Sequence, residues 1–391
     1  MTRSERLRRG LVRYLESIDA LHEPYVRDAF LRVPRETFIP DVAAREGLEA
    51  VYSDRAFTTV TDARGVGVSS SSQPAIMALM LELLDLEPGL RVLEVGAGTG
   101  YNAALLKTIV GRRGRVVSID IDPKIARRAR TALRETGASV RALAGDGRRR
   151  LPHGPYDRLI VTASSPDAPR ARHQSLRPGG IIVLPIRLTA TMYFPQIVVA
   201  MRKVPGGFEH VRAVIGGFMG LRAAAGDASI AFGDLTVSES VDGATRTDSV
   251  GGRSIDRMSR PSRRRLLTLL AGEPTKSSVQ GAKDDRGRGL LLYATLAAPL
   301  SRIVQTGFWG VGIAHPRGDS LALLREGKTV RLDSYGSAWA SDQVERLIER
   351  WRAADRPAWH DLRIGVSYGT NAKAWRTSKR DGCVLTFDWA T

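Results

Sequence analysis

Val92-Leu93-Glu94-Val95-Gly96-Ala97-Gly98-Thr99-Gly100 decides how the rest of the chain is read. An apolar run carrying Glu94 ends in three glycines at alternate positions, and a helix-like segment, Tyr101 to Val110, follows. Strand, glycine turn and helix are how an α/β fold opens a nucleotide-sized crevice at the C-terminal edge of its sheet. Glycine admits positive φ and lets backbone approach a ligand closely. The helix start adds free N–H groups and the positive end of a dipole. The dinucleotide fingerprint asks for G-x-G-x-x-G, whereas the spacing here is Gly96-x-Gly98-x-Gly100. A tight strand-to-helix turn without a ligand is the plain alternative.

Arg115-Val116-Val117-Ser118-Ile119-Asp120 reads as the next strand, ending in a carboxylate twenty residues beyond Gly100. An acid there can accept hydrogen bonds from both hydroxyls of a ribose. Asp122-Pro123 has the form of a helix cap with proline in the first turn, so the ribose is assigned to Asp120 and the cap to Asp122. The stretch resembles the first motif of S-adenosylmethionine (SAM) methyltransferases, which have no pyrophosphate to cradle. That resemblance implies that the glycine backbone faces the amino-acid part of SAM and that Glu94 orients the loop and the ligand.

With 391 residues, 43% of them apolar, the chain has material for two domains with a proper core. No run of about 18 apolar residues exists, so no membrane span is expected. The basic N-terminus lacks an apolar signal core, because Arg13, Glu16 and Asp19 interrupt Leu11 to Ala20. Cys383 is the only cysteine, which excludes an intramolecular disulfide and a cysteine-cluster metal site, and no metal is expected. A cytoplasmic protein is inferred. The net charge of +18 favours acidic partners. It rests mostly on arginine in a chain also rich in alanine and glycine, which is as much the look of a GC-rich genome as of a binding surface. Nucleic acid is disfavoured as substrate.

In chain order, residues 4 to 32 read as helical and lead to a proline-bounded turn, Val33-Pro34-Arg35-Glu36-Thr37-Phe38-Ile39-Pro40. Ser69-Ser70-Ser71-Ser72-Gln73-Pro74 opens an apolar helix, Ala75 to Leu84, with Ser72 or a neighbour as its cap. Strands are expected around Val140 to Ala144 and over Tyr156 to Val161. His153 and His173 flank turns and read as surface residues. Taken together, Pro34-Arg35 with Phe38, Tyr52-Ser53-Asp54, Ser70-Ser71-Ser72-Gln73-Pro74, Val92 to Gly100, Gly145-Asp146-Gly147, Pro155-Tyr156-Asp157, Ile160-Val161-Thr162-Ala163, Leu176-Arg177-Pro178-Gly179-Gly180 and Val183-Leu184-Pro185 resemble the protein-L-isoaspartate O-methyltransferase family, in family order over roughly residues 20 to 220.

The resemblance implies a Rossmann-like SAM methyltransferase fold of α/β class, a doubly wound and mostly parallel sheet. Its product cofactor would be S-adenosyl-L-homocysteine. For the cofactor it implies Glu94, Gly96, Ala97, Gly98, Thr99, Gly100, Asp120, Ile121, Gly145, Asp146, Gly147 and Thr162, with Asp146 at the adenine. The family's Thr-Ile-Ser-Gln-Pro is here Ser70-Ser71-Ser72-Gln73-Pro74. Ser72 falls on its functional serine, Ser70 keeps a hydroxyl, and Ser71 replaces an apolar residue. The chemistry suits these residue types. An acceptor carboxylate with pKa near 4 is already ionised at neutral pH, so positioning matters more than a strong base.

From residue 221 the character changes, and 221–391 is expected to be an additional C-terminal α+β domain beside a methyltransferase domain at 1–220 with an N-terminal helical cap. Leu221 to Asp227 resembles a linker, residues 229 to 250 short strands or hairpins, Thr306 to Ala314 a strand, Ser341 to Ala353 an amphipathic helix, and Asp361 to Tyr368 and Cys383 to Trp389 strands. Arg253, Arg257, Arg260, Arg263, Arg264 and Arg265 form a basic run suited to an acidic peptide or to plain solvent. The extension resembles that of members associated with ribosomally made, modified peptides, which implies methylation of a peptide Asp followed by aspartimide or isoaspartate. General repair of isoaspartyl proteins is the second reading. A nucleic-acid methyltransferase or SAM-dependent binding module is the third, opposed by Thr162-Ala163-Ser164-Ser165-Pro166 where amino-group base methyltransferases commonly carry Asn/Asp-Pro-Pro-aromatic.

Overall fold

The strands around the glycine turn are apolar at consecutive positions because both faces of their sheet are covered. Val92, Ile160 and Val183 enter one core with the N-terminal helices, and Leu93, Leu159 and Ile182 enter a second core on the opposite face. Successive side chains of a strand point to opposite faces, so each strand serves both. The computed structural model describes the chain except residues 64, 66, 150, 153, 189–195, 217–234, 242–243, 252–257, 281–286, 299–300, 306–307, 328, 370–372 and 391; for 235–251 and 301–309 it describes backbone alone. The expected linker, His153, Arg253 and Arg257 lie outside the described residues.

Three helices come first: α1 (Arg3–Ser17), α2 (Pro24–Arg32) and α3 (Pro40–Val51). The helical stretch expected over 4–32 is thus two helices with a break between them. Asp19 takes a left-handed φ of 59°, Pro24 starts the new helix, and Glu82 accepts from the amides of His22 (2.6 Å) and Glu23 (2.8 Å). A hairpin follows, β1 (Phe57–Thr61) with β2 (Gly67–Ser71), then α4 (Pro74–Leu83). The alternating part is β3 (Arg91–Val95), α5 (Tyr101–Val110), β4 (Arg115–Asp120), α6 (Pro123–Glu135), β5 (Val140–Ala144), β6 (Tyr156–Val161), α7 (Arg170–Ser175) and β7 (Leu176–Arg187). Strands β5-β4-β3-β6-β7 lie in that order and are all parallel, the Rossmann-like arrangement expected. The sheet continues antiparallel into β8 (Gln196–Val204) and β9 (Gly207–Ile215).

Next come β10 (Leu235–Val241), β11 (Ala244–Gly251), α8 (Arg260–Ala271), β12 (Thr275–Ser278), α9 (Arg288–Ala297), β13 (Ser301–Gln305), β14 (Phe308–Ala314), β15 (Ser320–Arg325), β16 (Arg331–Gly336), α10 (Trp339–Ala353), β17 (Leu362–Ser367), β18 (Arg376–Arg380) and β19 (Cys383–Trp389). Strands β10-β11-β13-β14-β15-β16-β12 form a separate antiparallel sheet. Its core joins Leu290, Leu291 and Ala294 of α9 to Val344, Leu347 and Trp351 of α10. Leu266 and Leu270 of α8 pack with Leu321, Leu323 and Tyr335 in a smaller cluster.

The remaining strands do not respect a boundary at residue 220. Strands β17-β19-β18 extend the large sheet beyond β9 to ten strands. Phe208 pairs with Val366 and Gly207 with Ser367, and a Cβ on Gly207 would run into the Val366 carbonyl. His210 Nδ1 accepts from the Ile364 amide at 3.3 Å, which requires a neutral ring, and burial pushes its pKa down to about 4. Leu362, Ile364, Leu385 and Phe387 are buried in the same core as Leu93 and Leu159. The division of the chain is therefore interleaved: residues 235–336 build the second sheet, and 362–389 return to the first.

Candidate active site

The loop after β3 is shaped by its own backbone. Gly96 and Ala97 amides donate to Ile119 O at 2.8 and 3.1 Å, which seats the turn on the end of β4. Gly96 has φ 101° and Gly98 φ 51°, conformations that only glycine takes cheaply. A Cβ on Gly96 would run into Thr162 Oγ1, and one on Gly98 would stand 3.2 Å from Ser70 O. Gly100 then caps α5, with its amide bonded to Ala97 O at 2.8 Å.

Glu94 is fully buried beneath this loop. Its carboxylate accepts from Asn102 Nδ2 at 2.8 Å and from Ser118 Oγ, tying β3 to the first turn of α5 and to β4. Burial pushes its pKa up to about 7, against the pull of those two donors. Asp120 ends β4: Oδ2 accepts from Gly98 N at 3.1 Å and Oδ1 from Asp122 N at 3.1 Å. Asp122 caps α6 as expected, accepting from Lys124 N at 2.8 Å. Thr162 Oγ1 donates to Gly96 O at 2.7 Å and thereby closes the loop from the β6 side.

The opposite wall is the end of the β1–β2 hairpin. Ser69 and Ser71 are buried, whereas Ser70 and Ser72 are half-buried, the alternation of a strand. Ser72 does not cap α4. Gln73 is the N-cap residue and its side chain makes no capping bond; Asp54 Oδ1 accepts from Ala75 N at 2.8 Å while Oδ2 accepts from Gln73 Nε2 at 2.7 Å. A carboxylate suits a helix N-terminus electrostatically, and its presence leaves the Ser72 hydroxyl out of the cap.

One cavity, about 1360 Å³ with its open mouth, joins the two walls. Ser69 to Gln73, Gly96, Ala97, Gly98, Thr99, Asp120, Ile121, Gly145, Gly147, Thr162 and Ala163 all line it. Of the sequence-derived site residues, Glu94, Gly100 and Asp146 stand behind the lining. Asp146 Oδ1 accepts from its neighbour Arg148 N at 2.9 Å, and Oδ2 lies 3.4 Å from Arg149 Nε. No histidine or cysteine lines the cavity, and the described residues contain no cluster of three or more metal-ligating side chains. The lining fits SAM: a glycine loop that lets a ligand approach the backbone closely, a strand-end carboxylate for a diol, and two glycines beside Ile121 for a flat purine.

Several contributors were not singled out from the sequence. Asn102 and Ser118 hold Glu94. Arg172, fully buried, donates to Gly147 O at 3.3 Å and Ser165 Oγ at 2.9 Å, bracing two loops next to the cavity. The hydroxyl of Tyr368 donates to Ala168 O at 2.9 Å, so the end of strand β17 is tied to the segment between β6 and α7. His173, expected at the surface, is half-buried: its Nε2 lies 2.9 Å from Val204 O, and its ring packs edge-on against Phe208 and Tyr368. Only a distant strand explains that contact, so no local signal could have revealed it. Among the described residues no helix is long and apolar enough to cross a membrane.

Comparison with known proteins bears on the chemistry. The sequence pattern of the family described as Protein-L-isoaspartate(D-aspartate) O-methyltransferase (PCMT) matches residues 6–207. A Protein-L-isoaspartate O-methyltransferase of Methanopyrus kandleri is 41% identical over 184 residues, covering 46% of this chain and 77% of that one. One from Hyperthermus butylicus is 37% identical over 212 residues, covering 52% and 83%. A solved structure described as a protein-L-isoaspartate O-methyltransferase shares the fold across 98% of this chain and 100% of its own, with TM-score 0.55 and 23% identity. A glycine wall and a serine wall facing one cavity, on a parallel sheet whose sequence carries these likenesses, lead to one assignment: the chain belongs to the protein-L-isoaspartate O-methyltransferase family and is a SAM-dependent O-methyltransferase.

Proposed function

We propose that the chain methylates the side-chain carboxylate of an isoaspartyl residue in a peptide or protein, the repair-type activity. The observation that carries this reading is the juxtaposition of the two walls: the glycine loop and Ser70 and Ser72 line one cavity, with Gly98 packed against Ser70 O. When bound, SAM supplies an activated methyl group. The amides of Gly96, Ala97, Gly98 and Gly100 are bonded within the protein, so the loop from Gly96 to Gly100, with Ala97 and Thr99 in the same turn, would face its amino-acid end by close backbone approach. Asp120 would accept from its ribose hydroxyls, and Gly145 and Gly147 with Ile121 and Thr162 would take the adenine side, with Asp146 behind them. Glu94 acts behind them through Asn102.

On the acceptor side, Ser72 Oγ donates one hydrogen bond to a carboxylate oxygen and leaves the other oxygen directed at the methyl donor, and Ser70 supplies a second hydroxyl. The acceptor is ionised at neutral pH, so no base has to remove a proton, and orientation carries the rate. The C-terminal strands are tied through Tyr368 to the segment between β6 and α7, and this reading gives residues beyond 220 a part in choosing the peptide.

A second reading is a dedicated substrate, a ribosomally made and modified peptide whose methyl ester is displaced by the next backbone amide, releasing methanol and leaving an aspartimide. It is motivated by the region beyond the family match and by exposed Arg260, Arg264 and Arg265 on α8. The repair reading is preferred because the same overall fold, second sheet region included, occurs in a chain described as an isoaspartate methyltransferase. Intact-mass analysis with isotopically labelled SAM tests the pair. Rapid labelling of a generic isoaspartyl peptide is the expected result. Methylation confined to an acidic peptide encoded beside the gene, followed by net loss of water, would replace repair with the dedicated role. Transfer to neither peptide would sink both.

A further inference from the structure

Arg35 is fully buried and sits where the acceptor wall, the hairpin and the cofactor helix meet. Its Nη1 donates to Val51 O at 2.9 Å and Ser53 O at 3.1 Å. Its Nη2 donates to Arg55 O at 3.0 Å, Ser72 O at 2.9 Å and Ser71 Oγ at 3.3 Å. The guanidinium lies 5.4 Å from the Phe57 ring and 5.9 Å from the ring of Tyr101, the first residue of α5. Every one of those hydrogen-bond acceptors is a neutral oxygen. The nearby Asp54 carboxylate is occupied with Ala75 N and Gln73 Nε2.

A buried cation without a bonded anion is an expensive way to brace a turn, because desolvation falls on the charge whether or not the bonds are good. Carbonyl dipoles orient and soften the charge and leave its sign in place. The anion that would complete this arrangement is a substrate carboxylate held by Ser72, whose carbonyl Arg35 already grips. We propose that Arg35 is the positioning residue of the acceptor site: it locks Ser71 and Ser72 in register with the start of α5, and it sets a positive potential behind the serine wall that selects an ionised acceptor. This rests on the carboxyl-methylation reading and deepens it.

The two effects separate by kinetics. Transfer converts the carboxylate to a neutral ester, with the carboxylate oxygen forming the bond to carbon as the carbon–sulfur bond breaks and its electron pair stays on sulfur. Negative charge on the acceptor is therefore greatest before reaction, so the potential acts on substrate binding and lets the neutral product go. The register of the wall acts on turnover.

The test uses the full-length protein and its Arg35→Lys and Arg35→Met variants. The readouts are kcat and KM for an isoaspartyl peptide, inhibition by the same peptide with the acceptor as its neutral amide, SAM affinity, and thermal unfolding. The wild type should prefer carboxylate over amide by about tenfold or more, the scale of a hydrogen-bonded charge. Arg35→Lys should keep that preference, since it keeps the charge, and lose about 100-fold in kcat, since it loses the planar five-way grip. Arg35→Met should lose both. A folded Arg35→Met that keeps the preference and the wild-type kcat would overturn the proposal. Should that variant not fold, Arg35→Lys decides alone, and an unchanged kcat overturns it. Failure of the wild type itself to methylate any aspartyl or isoaspartyl peptide would instead remove the underlying carboxyl reading.

Discussion

The glycine wall of the cavity, Gly96 to Gly100, takes its shape from its own backbone torsions and is only fastened at its base by Asp120 and Thr162, whereas the serine wall, Ser69 to Ser72, is held by side chains from elsewhere. The first needs particular φ values and missing Cβ atoms. The second needs Arg35 from the turn before α3 and Asp54 from the segment after it. A wall of the first kind should fail when its own residues change. A wall of the second kind should fail most when its distant supports change, and tolerate variation in its own side chains. The Ser71 found here, where the family carries an apolar residue, fits that tolerance, because its hydroxyl is taken up by Arg35.

The contrast can be broken most sharply at Gly96. Gly96→Val combines about 1–2 kcal/mol for a left-handed L-residue with about 1–3 kcal/mol of overpacking against Thr162. SAM affinity measured by calorimetry should fall about 10³-fold, and unchanged affinity would show that the loop adapts.

Glu94 is the fully buried side-chain prop under the glycine wall, behind Asp120 and Thr162, and its effect is on stability. Its pKa in the fold, about 7, lies above the ordinary 4.5, so the folded state holds the proton more tightly than the unfolded chain. That contribution is complete below about pH 4.5 and is lost as pH rises through about 7. Glu94→Gln should remove this loss, roughly 3 kcal/mol across the window. Denaturant unfolding of wild type and variant at pH 5 and pH 8 measures it, and parallel curves at both would deny Glu94 the role.

A smaller effect is expected at Asp120. Asp120→Ala should weaken SAM by about 2 kcal/mol, the worth of hydrogen bonds to a charged group, while KM for the peptide stays constant. Equal changes in both would mean that the two walls are coupled through Gly98. The smallest effect belongs to Ser72→Ala, about 1.5 kcal/mol or roughly tenfold in kcat for one hydroxyl hydrogen bond to a charged acceptor, with SAM affinity unchanged. A larger loss at Ser72 than on replacing Arg35 would reverse the contrast.

The same distinction explains what could be read from the sequence. Strand, glycine turn and helix are local, and so are the Asp122-Pro123 cap and the strand-end position of Asp120; all three appear where the spacing put them. The sequence offers Ser72 or a neighbour as the cap of α4; the N-cap position falls on the neighbour Gln73, and the carboxylate that serves the helix start is Asp54, about twenty residues upstream, which reaches the helix only in three dimensions. Arg35 stood out as part of a motif, yet nothing in its neighbours announces that its acceptors come from residues 51–55 and 71–72. The boundary at 220 marked a real change in composition, but alternation along Leu362 to Ser367 says only that a strand exists and not which sheet it joins.

That return of the chain has a consequence for its synthesis. Strand β9 leaves the ribosome well before β17, with residues 216–361 between them. Until β17 arrives, β9 presents an open edge of unpaired amides and carbonyls beside Phe208, a template for pairing with other chains. The large sheet closes late, by a contact between residues distant in sequence, which is the slow kind. A fragment ending at residue 220 would keep that sticky edge permanently, so its solubility and not its catalytic power would be the first property to suffer.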